Sequence, residues 1–138
     1  MKTSMKLAAI ICTAIIFLTA NLAMAQKPGA PWNVPAKYKT MKSTVKAGDP
    51  SINGVGKENF NKHCKSCHGA KGLGDGPKAA NLKTSTGDFS SAKVQGYSDG
   101  ELYYMSFIGR DEMPNFEKKI TDEADRWALI GFLRTLKK

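Results

Sequence analysis

The chain has 138 residues, with 21 Lys and Arg against 12 Asp and Glu and a formal net charge of +9. That length holds one small domain. The basic balance would suit nucleic acid, but an export leader at the N-terminus sets that partner class aside.

Residues 1–25 read as a secretory signal peptide. Lys2 and Lys6 form a positive start, Leu7 to Leu22 is apolar and uncharged, and Ala23-Met24-Ala25 is a small-x-small cleavage site. The alternative is an uncleaved membrane anchor, yet an apolar run of about 16 residues is short for a span of roughly 20. Cys12 follows Ile11 inside the apolar run, which argues against a lipoprotein. Cleavage before Gln26 leaves 19 basic and 12 acidic residues, a net +7. The expected location is outside the cytoplasm, in the periplasm, or on the membrane if the leader is retained. A negative protein surface or anionic lipid then becomes the fitting partner. Lysines that merely keep the protein soluble are the plain alternative.

Residues 26–52 are rich in Pro, Lys and Gly and read as an extended arm. Trp32, Val34 and Tyr38 are its apolar anchors against the body; a disordered tether is the alternative. Val55 to Cys67 is a predicted helix with Asn53 as its cap. Gly56 would let another helix cross closely, and Phe60 supplies an apolar contact. Residues 69–97 have weak periodicity and read as loop, with Leu73, Leu82, Phe89 and Val94 as isolated apolar residues. So long a loop implies that something fills the space it surrounds.

Ser98 to Ile108 is the next predicted helix, opened by a Ser98–Glu101 capping box. Leu102, Met105 and Ile108 form its apolar face, and Gly109 suits its end. Residues 110–120 are a second loop containing Met113-Pro114. The last helix runs from Thr121 or Asp122 to Leu136. It is acidic at its start and basic at its end, as the helix dipole favours. Its apolar stripe is Ala124, Trp127, Ile130, Leu133 and Leu136. No repeat and no strand pattern is present. The fold class is all-α: three to four helices behind an N-terminal arm, with domain boundaries at 1–25, 26–52 and 53–138.

Cys64-Lys65-Ser66-Cys67-His68 carries the chemistry. Once the leader and Cys12 are gone, Cys64 and Cys67 are the only cysteines, and a disulfide between them would close a tiny, poor loop. C-x-x-C-H is the haem c attachment pattern. Two thiols three positions apart at a helix end reach the two vinyl groups of one porphyrin, and the adjacent His68 sits under the iron. A redox dithiol or half of a zinc site are the rivals; the first lacks a strand–helix context and the second lacks another ligand pair. A haem would also be the filling the long loop calls for, and its two propionates would lower the net charge to about +5, still a basic balance.

The sixth iron position follows by elimination. His63 directly precedes Cys64 and is tethered on the His68 side. A Met thioether, a soft donor that suits haem iron, comes from Met41, Met105 or Met113. Met41 is in the arm, Met105 reads as a core residue of a helix, and Met113 is on a loop fixed by Pro114. Met113 is the assigned ligand, with Met105 or an open position as alternatives. Metal-bound histidines usually donate their other ring N–H to an acceptor, and the Gly74-Asp75-Gly76-Pro77 turn offers the Pro77 carbonyl. Tyr97, Tyr103, Tyr104 and Trp127 are candidates to meet a propionate or pack on the porphyrin.

From Cys64 to Gly69, Gly72 to Pro77, Met113-Pro114 and the last helix with Trp127, the chain resembles a class I bacterial cytochrome c over about residues 53–138. The resemblance implies a small helical fold around one covalent haem c, with the first and last helices crossing through Gly56, Phe60 and Trp127. It implies His68 held by the Pro77 carbonyl and Met113 as distal ligand. The chain also resembles haem c subunits of larger respiratory assemblies. The expected function is one-electron transfer between respiratory redox partners with acidic docking surfaces, with Lys65, Lys71, Lys78 and Lys118 as steering charges. The alternatives are a subunit of a membrane oxidoreductase complex, or a haem that binds gas or peroxide at an open sixth position near Arg110.

Overall fold

In the computed structural model, residues 27–138 are described; the predicted leader, its cleavage site and Cys12 lie outside the described residues. Six α-helices and no named strand occur among the described residues. They are α1 Ala36–Lys39, α2 Lys57–His63, α3 Lys65–His68, α4 Ala92–Gln95, α5 Asp99–Tyr103 and α6 Glu123–Thr135. Two wide π turns extend them: Ile52–Gly56 leads into α2, and Tyr104–Ile108 continues α5. Three long helical stretches therefore carry the body, and the short segments lie in the arm, at the Cys–His motif and in the long loop.

The first stretch starts upstream of the expected position. Asp49 accepts the Ser51 N–H on its side chain at 2.8 Å and the Ile52 N–H on its carbonyl at 3.0 Å. Pro50 then occupies the first helical position, where a missing N–H costs nothing. Asn53 is not a cap; it sits inside the π turn. The Ser98–Glu101 capping box forms as expected. Ser98 N–H donates to Glu101 Oε2 at 2.7 Å, and Glu101 N–H donates to Ser98 Oγ at 3.2 Å. Asp122 caps α6 by accepting the Ala124 and Asp125 N–H groups at 2.7 and 3.1 Å.

Helix α6 packs on the Ile52–Gly56 turn, on α2 and on α5. A Cβ on Gly56 would lie 2.7 Å from the carbonyl carbon of Ala128, so the glycine is what lets the two backbones touch. Phe60, Phe107, Trp127, Leu129 and Ile130 are the largest fully buried side chains. Covered on several sides, α6 buries an unbroken run from Trp127 to Ile130 rather than a single stripe, and Ala124 is left exposed. In the second stretch the π turn rotates the face: Leu102, Tyr103 and Phe107 are buried, while Met105 and Ile108 are only half-buried.

The arm lies against this body. Val34 is buried, and Trp32 and Tyr38 both pack on Tyr104, with ring centroids 6.4 and 4.7 Å away. Two arginines tie loops to α6. Arg126 donates to the carbonyls of Ile120 and Glu117 and to the Tyr103 hydroxyl at 2.7 to 3.0 Å. Arg134 donates to Asp99 Oδ1 and to the carbonyls of Gln95 and Tyr97. No helix among the described residues is long and apolar enough to cross a membrane.

Candidate functional site

Helices α2 and α3 form one helical run with an offset at Cys64 (φ −113°). The Cys64 carbonyl accepts both the Cys67 and His68 N–H groups, at 3.1 and 2.9 Å, so the motif is wound as one compact turn. Gly69, at φ +81°, ends it. The following loop doubles back beneath that end: Gly74 N–H donates to the His68 carbonyl, Gly76 N–H to Cys67 and Lys78 N–H to Ser66, at 2.9, 3.2 and 2.9 Å. A Cβ on Gly76 would meet the Ser66 and Cys67 carbonyl groups, so only glycine allows this approach.

The motif faces an open cleft of about 760 Å³, within the roughly 300–1,000 Å³ typical of small-molecule and cofactor sites. Cys64, Cys67 and His68 form one wall, and Met105, Met113, Leu102 and Phe116 line it as well. Leu82, Phe89 and Val94, the isolated apolar residues of the long loop, also face this space, whereas Leu73 does not line it. The loop therefore wraps a cofactor-sized volume.

The two thiols are unpaired. Burial, with Cys67 beside it, pushes the Cys64 thiol up to about 12. Burial holds His68 down to about 4, so its imidazole is neutral, the form that ligates a metal. Its ring stacks on Phe89 at 4.5 Å with 19° between planes. His68 Nδ1 is buried without a hydrogen-bond partner. The expected bond to the Pro77 carbonyl is therefore not made; Pro77 is exposed beside the turn, while the glycines on either side of Asp75 make the backbone contacts. A buried imidazole and two free thiols on the wall of a large cleft, with Leu82, Phe89, Val94, Leu102 and Phe116 also lining it, fit a covalent haem. Among the described residues no group of three or more His, Cys, Asp or Glu could hold a metal ion by itself, so the zinc alternative finds no further ligands.

Met113 is half-buried and is held by its backbone, which pairs with Arg110 through two hydrogen bonds of 2.8 Å. Gly109, at φ +70°, makes room for the Pro114 carbonyl. Met105 is not a core residue as expected; the π turn brings it to the cleft wall. His63 also lines the cleft, with its ring on Phe116 at 5.8 Å and Nε2 buried without a partner. Burial, then the charges of Lys62 and Lys119, lower its pKa.

Of the four aromatic candidates, only Tyr97 lines the cleft. Trp127 does not: it is core, packed on Tyr103 at 4.6 Å with its N–H given to Glu123. Tyr103 is committed to Arg126, and Tyr104 to the arm. Of the four expected steering lysines, Lys78 lines the cleft, and Lys62, Lys93 and Lys119 join it there. The arm residues Pro28 to Trp32 were also not anticipated in this wall; their proline and aromatic content was the available signal.

The family model described as cytochrome c matches residues 55–137. The chain belongs to the cytochrome c family: a helical fold with covalent haem c and a function in haem-based electron transfer. Comparison with curated proteins finds no match.

Proposed function

We propose that this protein is an exported, periplasmic monohaem electron carrier whose iron is held by His68 and Met113. The observation that supports this reading is that His68 and Met113 line one cleft with the two thiols, with Met113 backbone-braced by Arg110; His63 and Met105 line the same cleft, and absorption spectra separate Met105 from Met113. When bound, the haem supplies a one-electron ferrous–ferric couple, and a Met–His ligand pair raises its potential. Cys64 and Cys67 anchor it against loss. His68 presents a neutral ring nitrogen. Met113 is fixed at the backbone on a braced loop, so neither ligand has to move when the charge changes. Leu82, Phe89, Val94 and Phe116 exclude water. Lys62, Lys78, Lys93 and Lys119 at the cleft steer an acidic redox partner. A role as a fixed subunit of a membrane oxidoreductase uses the same chemistry, and co-purification with membranes distinguishes it.

Absorption spectra of the purified holoprotein test the ligand set. A weak ferric band near ~695 nm reports Met–iron ligation. Met113→Ala removes it, and Met105→Ala leaves it. A high-spin ferric spectrum of the wild type sinks the assignment.

A further inference from the structure

We propose that Pro28 to Trp32 form a strap across the cleft, and that Arg110 is the positioning residue tying this strap to the Met113 loop. The proposal rests on Met113 as the distal ligand. Arg110 does two things at once. Its backbone pairs with Met113 through both 2.8 Å hydrogen bonds. Its guanidinium lies 3.9 Å over the centre of the Trp32 ring and donates to the carbonyls of Pro31, at 2.8 Å, and Ala30. All five strap residues line the cleft.

The upstream end of the strap meets the 69–97 loop, to which the Met113 loop is also tied. The Lys27 carbonyl accepts the Ser85 N–H at 3.1 Å. Next to it, the Glu112 carboxylate accepts the N–H groups of Lys83 and Thr84 and the Thr84 hydroxyl, at 3.0 to 3.1 Å. The two residues flanking Asp111 thus grip different segments, and the strap links those segments into a closed ring. Asp111 is the only non-glycine among the described residues at positive φ, at +47°, so the turn presenting Met113 is one an ordinary side chain disfavours. It is braced from both sides.

Arg110 is not a docking charge. Its fork is taken up by two carbonyls and an aromatic face, and its 4.0 Å approach to the exposed Asp111 adds little. Lysine cannot replace a stacked, two-pronged contact. The strap's consequence is kinetic. An outside ligand reaches the sixth position only when the Met113 loop swings away, and the population of that open form sets the rate.

The test uses ferrous holoprotein and carbon monoxide as the competing ligand, with the ferric ~695 nm band recorded in parallel. Arg110→Gln, Arg110→Lys and Trp32→Ala are expected to keep the band at neutral pH yet combine with carbon monoxide about tenfold faster than wild type, as the loss of one partly buried cation–π and hydrogen-bonded grip would give. Trp32→Phe, which keeps an aromatic face, should restore the slow rate. If Arg110→Gln fails to accumulate as holoprotein, Trp32→Ala carries the same comparison. Variants that keep the band and bind carbon monoxide at the wild-type rate overturn the proposal alone. A wild type that lacks the band and binds carbon monoxide at once overturns the ligand reading, and the proposal with it.

Discussion

Gly56 and Ala128 touch backbone to backbone: a methyl on Gly56 would sit 2.7 Å from the Ala128 carbonyl carbon. The contact joins the helix that carries the Cys–His motif to the buried centre of α6. Gly56→Ala must push the two helices apart and should cost about 1–3 kcal/mol, as overpacking does. Gly54 is the control, because a Cβ there meets nothing within 4 Å. Denaturant midpoints of the two alanine variants check this. Equal stability for both would show that the approach is not tight in solution.

Much of this was legible in the sequence, because each legible feature depends on neighbours in the chain. The Cys64–His68 spacing and the Ser98–Glu101 box are local chemistry, and both form. Gly56 was legible as a close approach because a glycine within a helical pattern needs a packing reason. What was not legible depends on distant partners. No local pattern says that Arg126 reaches Tyr103 or that Arg110 reaches Trp32. The π turn at Tyr104 shifts the register by part of a turn, and this moves Met105 from the expected core to the cleft. Trp127 reads as a porphyrin neighbour only because aromatic residues suit both roles; its position in the middle of α6 places it in the core.

Cys64 and Cys67 should make the haem covalent. Cys64→Ala/Cys67→Ala is expected to yield no haem on the polypeptide after denaturing electrophoresis, whereas the wild type retains it. Each single variant should retain haem through the remaining thiol, with a shifted pyridine haemochrome band because one vinyl group stays unreacted. Haem that survives denaturation in the double variant would contradict the attachment. Without its filling the cleft of about 760 Å³ loses its apolar contacts, so the double variant should also lose helical signal by circular dichroism.

Arg126 closes the far end of the Met113 loop. Its guanidinium satisfies the Ile120 and Glu117 carbonyls and the buried Tyr103, and its side chain is 15% exposed. Arg126→Ala leaves those acceptors without a donor and should lower stability by about 2–3 kcal/mol. Arg126→Lys should recover only part, because one ammonium cannot span the three acceptors. Chemical denaturation of the holoprotein measures both, and a full rescue by lysine would argue against the bridging role.

Glu112 gives the Met113 loop an acid-sensitive grip. Hydrogen bonds from the Lys83 N–H, then from the Thr84 hydroxyl and N–H, hold its carboxyl below the usual glutamate value, with the Lys83 charge adding to them. A carboxyl that is lower in the folded state stabilises the fold at pH above its unfolded value, about 4.3, and that contribution is lost as pH falls through the lower folded value. Glu112→Gln keeps the shape without the charge. Its unfolding midpoint should therefore lie below that of wild type near pH ~6, and the gap should shrink as the pH drops below ~4. Asp49 and Asp88 are lowered too, by Ser51 and Ser90, but both proteins carry them, so their acid response cancels in the difference. A gap that stays constant from pH ~6 to pH ~3 would mean that Glu112 acts through shape alone, since only a charge lost by protonation can make the difference vanish in acid.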